Sequence, residues 1–185
     1  MPTHEIPGVR TFEFTKLIGV ENMEFGQNVI LDDFVLIYAK QKIRFGSYIH
    51  IASFTSISGG GHFEMADFSG ISSGCRIVTG SDDFKDWGFG NPAIAEEFRN
   101  VSVGSITMEK FSIVGANSVV LPNVTIGEGV AVAANSLVTK TLEPWGIYVG
   151  NRRVGERNRD GVMKTYEKFL ATPEAERIGP LFRNS

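Results

Sequence analysis

Phe45-Gly-Ser-Tyr-Ile-His, Ile51-Ala-Ser-Phe-Thr-Ser, Ile57-Ser-Gly-Gly-Gly-His and, after two extra residues, Met65-Ala-Asp-Phe-Ser-Gly, Ile71-Ser-Ser-Gly-Cys-Arg and Ile77 read as a repeat of six. Every sixth residue is bulky and apolar, and four places on stands a small or β-branched one: Ile49, Thr55, Ser69, Cys75. A helix of 3.6 residues per turn cannot hold one face apolar at a strict period of six. A plain two-residue alternation would not leave polar residues and glycines between. Six fits a short strand plus a tight turn, stacked as a coil.

Outward from this stretch the coils become countable. Met23-Glu-Phe25, Ile43-Arg-Phe45 and Phe63-Glu-Met65 share one form and lie 20 residues apart, so each coil is three sixes plus two residues. The sixes resume at Met108 and run through Val114, Val120, Ile126, Val132 and Val138, now in coils of 18. Ser112, Ser118, Val124, Val130 and Ser136 take the small position. Each coil would stack about 4.8 Å from the next, with bulky residues inward and small ones at the corners. Between 83 and 105 the pattern is lost, in an excursion rich in aromatics that reads as functional. Thr11-Phe-Glu-Phe-Thr-Lys-Leu-Ile alternates and is expected to cover one open end of the stack. Pro144-Trp145-Gly146 is expected to close the other. Val162, Tyr166, Phe169 and Leu170 are spaced for a C-terminal α-helix, with a shorter turn after Pro173.

The expected architecture is an all-β parallel β-helix with a long excursion and a C-terminal α-helix. At 185 residues it reads as one domain: an N-terminal cap over 1–22, the β-helix over 23–145 and a C-terminal segment over 146–185. A net charge of −3 offers no basic surface to nucleic acid. No apolar run reaches the length of a membrane span, and the first residues lack a secretory pattern. A single cysteine excludes an internal disulfide framework and fits a cytoplasmic location.

Residues 23 to 154 resemble the hexapeptide acyltransferases. The likeness is strongest at Gly80-Ser-Asp-Asp-Phe, at Asn91-Pro92, from Ile113 through Gly129, and from Val138-Thr-Lys to Gly150. It is closest to sugar O-acetyltransferases of the galactoside and maltose type and their polysaccharide-biosynthesis relatives. The resemblance implies a left-handed coil, a homotrimer with active sites between subunits, acetyl-CoA as donor, a sugar acceptor and no metal.

Acetyl transfer needs a base for the nucleophile's proton and donors for the tetrahedral oxyanion. In the galactoside-type enzymes a histidine closes the coil before the long loop, and Asp82 stands at that position here. Two histidines are candidates to replace it. His50 precedes the corner of Ser53, which matches the family's substrate-binding asparagine, and a trimer would bring His50 near Asp82 or Asp83 of a neighbour. His62 ends the second coil as Asp82 ends the third, so the two are expected to stack and pair within one chain. The reading favours His50 as base, Asp82 or Asp83 as its orienter or an acceptor ligand, and Trp87 as an acceptor contact. His4, in the unpatterned terminus, reads as solvated. Cys75 occupies the small corner column and reads as buried and inert, so direct transfer is favoured over an acyl-cysteine. For coenzyme A the matching positions are Ala116, Ala134, Thr139 and Lys140, with Arg152, Arg153 and Arg157 available to phosphate. Three other readings stay open: N-acetylation of a nucleotide-linked amino sugar, a non-catalytic trimeric scaffold or sugar-binding module, and a zinc lyase, which would need a third histidine.

Overall fold

The computed structural model describes residues 6–182; His4 lies outside them. The chain winds as a left-handed parallel β-helix of about seven turns, a three-sided prism walled by three parallel sheets. The first face stacks Val9–Thr11, Val29–Leu31, Ile49–Ile51, Gly70–Ile71, Ile113–Val114, Ala131–Val132 and Gly146–Val149. The second stacks Lys16–Ile18, Leu36–Tyr38, Ser56–Ser58, Arg76–Val78, Val119–Val120 and Leu137–Val138. The third stacks Met23–Phe25, Ile43–Phe45, His62–Met65, Ser105–Met108 and Val124–Ile126.

The register follows the repeat. Val29 pairs with Ile49 and Ile43 with Phe63, 20 residues apart, and Val119 pairs with Leu137, 18 apart. Ile51, Ile57, Met65, Ile71 and Ile77 are buried in the prism interior, and Thr55, Ser69, Cys75, Ser112, Ser118 and Ser136 fill the corners. Each coil stabilises its neighbours by prolonging the same apolar columns.

At the corners the backbone enters the left-handed region. Asn28, Asn117 and Asn135 adopt it, as asparagine does readily, but so do Phe34, Phe54, Phe68 and Phe111. Their rings lie outside the prism, one above the next, and build two ladders. On the edge between the third and first faces, Tyr48, Phe68 and Phe111 stack. Helix α1 (Arg159–Ala171) covers them, setting Tyr166 and Phe169 edge-on against the stack at 5.0–5.4 Å. Such edge-on pairs contribute on the order of 0.5–1.5 kcal/mol each beyond the area they bury. Asn158 caps α1, its Oδ1 accepting from the Gly161 amide. Lower on this edge the Trp145 ring lies against Gly129, 2.4 Å from where a β-carbon would stand, so only glycine fits. On the edge between the first and second faces, Phe14, Phe34 and Phe54 stack at 5.0–5.1 Å with planes within 3°. Among the described residues no element covers these three as α1 covers the others.

The stack is longer at both ends than the repeat suggested. It begins at Val9, not Met23, because Val9–Thr11 and Lys16–Ile18 pair in parallel with the next coil on two different faces. The alternation at 11–18 spans a corner, where the Thr15 hydroxyl donates to the Leu31 and Asp32 carbonyls. It also continues past Trp145, since Ile147 pairs with Ala131 and Tyr148 is buried under the last coil. Arg152–Glu156 then returns antiparallel. The excursion has a two-stranded foot, Gly80–Ser81 against Ser102–Val103, and Ser105 already belongs to the wall.

Candidate functional site

The predicted residues gather on two edges that flank the second face. On the edge between the first and second faces, the amides of Gly74, Asn117 and Asn135 bond the carbonyls of Ser53, Ser73 and Ala116. Ser53, Ser73, Ala116 and Ala134 therefore form one column. His50 lies three residues before Ser53, on the outer side of the first face. Its Nε2 meets Asp32 Oδ2 at 3.0 Å. A carboxylate only accepts, so Nε2 carries the proton and Nδ1 keeps the lone pair. Below the imidazole, Gly70 leaves a depression of about 420 Å³ lined by His50, Ala52, Ser69, Ser72 and Ser73.

On the edge between the second and third faces lie His62, the excursion, Thr139 and Lys140. His62 does not pair with Asp82. The wall residue in register with it is Ser105, because the chain leaves the wall at Gly80 before Asp82 can stack. The nearest carboxylate to His62 is Glu64, at 3.8 Å. Asp82 is bound by Arg99, whose Nη2 and Nε both donate to Oδ1, at 2.7 and 3.3 Å. Asp83 accepts from the amides of Lys85, Asp86 and Gly88 and from Asn100 Nδ2. Those donors hold its carboxyl well below the usual range, and they make Asp83 the anchor of the excursion. Trp87, Phe84 and Phe89 are exposed on that excursion.

The donor-site expectations divide. Arg152 and Arg153 follow the Gly150 turn, whose amide bonds Ser136 Oγ, so they stand beyond Ala134 at the end of the stack. Arg157 does not join them. Its Nη1 donates to the carbonyls of Phe111 and Gly129 at the opposite end of the first-face strands, fastening the start of α1. The amides of Thr139 and Lys140 are not free for a ligand, because Asn151 Oδ1 accepts both. Cys75 is buried, its thiol pushed up by desolvation and placed 3.2 Å from the Gly115 carbonyl, as an inert corner residue should be. Among the described residues no group of three histidine, cysteine or carboxylate side chains is placed to hold a metal. None of the described helices is long and apolar enough to cross a membrane.

Residues 105–140 match the family model described as bacterial transferase hexapeptide (six repeats). Over 154 residues the chain is 32% identical to the dTDP-4-amino-4,6-dideoxy-D-glucose acyltransferase of Escherichia coli, covering 82% of this chain and 80% of that one. The chain belongs to the hexapeptide-repeat acyltransferases. Among solved structures it is similar to AntD, an N-acyltransferase from Bacillus cereus in complex with dTDP and 3-hydroxybutyryl-CoA. The TM-score is 0.82 at 36% identity, over 89% of this chain and 87% of AntD. A variant of AntD bound to dTDP-4-amino-4,6-dideoxyglucose and coenzyme A gives 0.83, over 89% of each chain.

Two residues of the candidate site escaped the sequence. Asp32 stands 20 residues before Ala52, so the coil period does place it one turn above the corner beside His50. Arg99 lies in the aperiodic excursion, and no spacing signals its bond to Asp82.

Proposed function

We propose that the chain transfers an acyl group from a coenzyme A thioester to the amino group of a nucleotide-linked amino sugar. The site would form between the first edge of one copy and the second edge of the next in a homotrimer. The observation that carries this reading is the likeness, across four-fifths of the chain, to a relative named for that acceptor and to AntD, an N-acyltransferase. It favours the N-acyl alternative over the sugar-hydroxyl reading to which the repeat first pointed.

The local chemistry supports an amine. Both Arg99 bonds converge on Asp82 Oδ1, which leaves Oδ2 to accept from the amino group of an acceptor that reached it. The acceptor attacks the thioester carbonyl as the neutral amine, its ammonium form having first given one proton to solvent. The new C–N bond leaves a further proton on nitrogen, and His50 Nδ1 takes it while Asp32 holds the Nε2–H. As the tetrahedral intermediate collapses the C–S bond breaks, and the imidazolium returns its proton to the leaving thiolate. The donor runs down the first edge past Ala116 and Ala134, whose small side chains leave the column open, towards Arg152 and Arg153 for its phosphates.

The homotrimer is proposed on a geometric ground. His50 lies on the first face and Asp82 beyond the far side of the second, so the reading calls on a neighbouring copy to bring such residues together. That face carries Ile18, Leu36, Tyr38 and Leu137 outward and exposed.

The test is thiol release from acetyl-CoA with two matched acceptors, dTDP-4-amino-4,6-dideoxyglucose and its 4-hydroxy counterpart. Turnover is expected with the amine alone. Preferred turnover of the hydroxyl sugar would restore the O-acetyl reading. Failure to bind any acyl-CoA would favour the non-catalytic module.

A further inference from the structure

Among the described residues the prism carries two aromatic ladders, and α1 covers one of them. Tyr48, Phe68 and Phe111 lie under α1, whereas Phe14, Phe34 and Phe54 remain 54, 50 and 59% exposed. Phe34 and Phe54 hold φ of 62° and 63°, a conformation that asparagine or glycine supplies at less cost at other corners of the same chain. Their rings add nothing to the prism interior. Phe34 is sandwiched face to face by its neighbours, so what it shows to solvent is ring edge.

The ladder also stops at a definite place. The next corner down the edge is Gly74, followed by Asn117 and Asn135. The edge is thus aromatic over its upper three turns and open below, where Ala116 and Ala134 line the proposed donor path. At the boundary stands Arg76, whose Nη1 donates to the carbonyls of Phe54, Gly74 and Cys75. Those bonds, all from Nη1, hold the guanidinium at the foot of the ladder.

We propose that the Phe14–Phe34–Phe54 ladder seats the base of the nucleoside diphosphate that carries the acceptor sugar, with Arg76 at its foot facing the diphosphate. This rests on the acceptor reading above and names the part of the chain that selects a nucleotide-linked sugar over a free one. A base at the top of the ladder would meet the positive ring edges of Phe14 and Phe34, whose centroids lie 5.1 Å apart, with its π face, an arrangement aromatic pairs favour. From Phe14 to the turn of Ser73 is three coils, about 14 Å at the usual strand spacing. That suits a base at the top, a diphosphate at Arg76 and a sugar amine beside the donor.

The experiment is a calorimetric titration with dTDP, without its sugar, of the wild-type chain, Phe34→Asn, Phe34→Tyr and Arg76→Gln. Acyl-CoA titration and light-scattering mass are measured on each. Asparagine keeps the corner backbone, as it does at Asn117, and so removes the ring without disturbing the coil. Phe34→Asn is expected to weaken dTDP by about tenfold or more, the scale of losing one base–aromatic contact. Phe34→Tyr should bind within a few-fold of wild type, and Arg76→Gln should weaken dTDP. Acyl-CoA affinity and mass should not change. Equal dTDP affinity in wild type and Phe34→Asn overturns the ladder's role and leaves the acceptor reading standing. Loss of assembly in Phe34→Asn overturns it in favour of a contact between copies. A wild-type chain that binds acyl-CoA but not dTDP overturns the acceptor reading itself.

Discussion

At His50 a single hydrogen bond decides which imidazole nitrogen can work. Asp32 accepts from Nε2–H, which holds the ring in one tautomer and leaves Nδ1 as the nitrogen for the proposed base. Removing the imidazole is expected to lower the acyl-transfer rate by about 10²–10⁴-fold without weakening acyl-CoA. Asp32→Asn should cost less, because the amide oxygen can still accept from Nε2–H although the side chain no longer fixes the ring in one tautomer. Steady-state rates, beside donor titrations, check both. An unchanged rate in His50→Ala would move the base elsewhere. The sequence named His50 through its place before a corner. It did not name Asp32, because a contact between a wall residue and the corner one turn above depends on side-chain direction as well as on spacing.

At the scale of elements, the walls and the excursion obey different rules. Wall strands are held by periodic burial, and their register was readable from the repeat. The excursion has no period, and its shape depends on one carboxylate. Asp83 collects three backbone amides and one side-chain amide, which lower its pKa. The sign follows: its contribution to loop order is complete above the ordinary carboxylate range and is lost progressively as pH falls below about 4. Asp83→Ala is expected to speed hydrogen exchange at Lys85, Asp86 and Gly88 while Ile77 and Met108 in the walls keep their protection. Uniform loosening of loop and wall alike would show that Asp83 matters to the whole coil. The C-terminal helix was legible from its apolar spacing, but its seat was not. Tyr166 and Phe169 find Phe68 and Phe111 only because left-handed corners turn those rings outward.

At the scale of the whole molecule, the proposed site draws on two edges that one chain keeps apart. If the second face joins copies, a charge at its centre must cost assembly and turnover together. Leu36→Glu is expected to give single chains by light scattering that no longer transfer the acyl group, with the circular dichroism of an intact coil. A variant that keeps its mass and its rate would place the interface on another face.

The sequence by itself determined the coil. A period of six with bulky and small columns admits one way of stacking flat strands, and that requirement is local enough to be written in every hexad. It also determined which residues reach the corners, and so the candidates His50, Ser53, Ala116 and Ala134. Only the tertiary structure decided the partners. The chain leaves the wall at Gly80, so His62 meets Ser105 and not Asp82. Asn151 folds back over Thr139, and Arg157 turns to the far edge. These pairings join residues through irregular segments, where no repeating burial fixes direction and the nearest unsatisfied donor or acceptor wins.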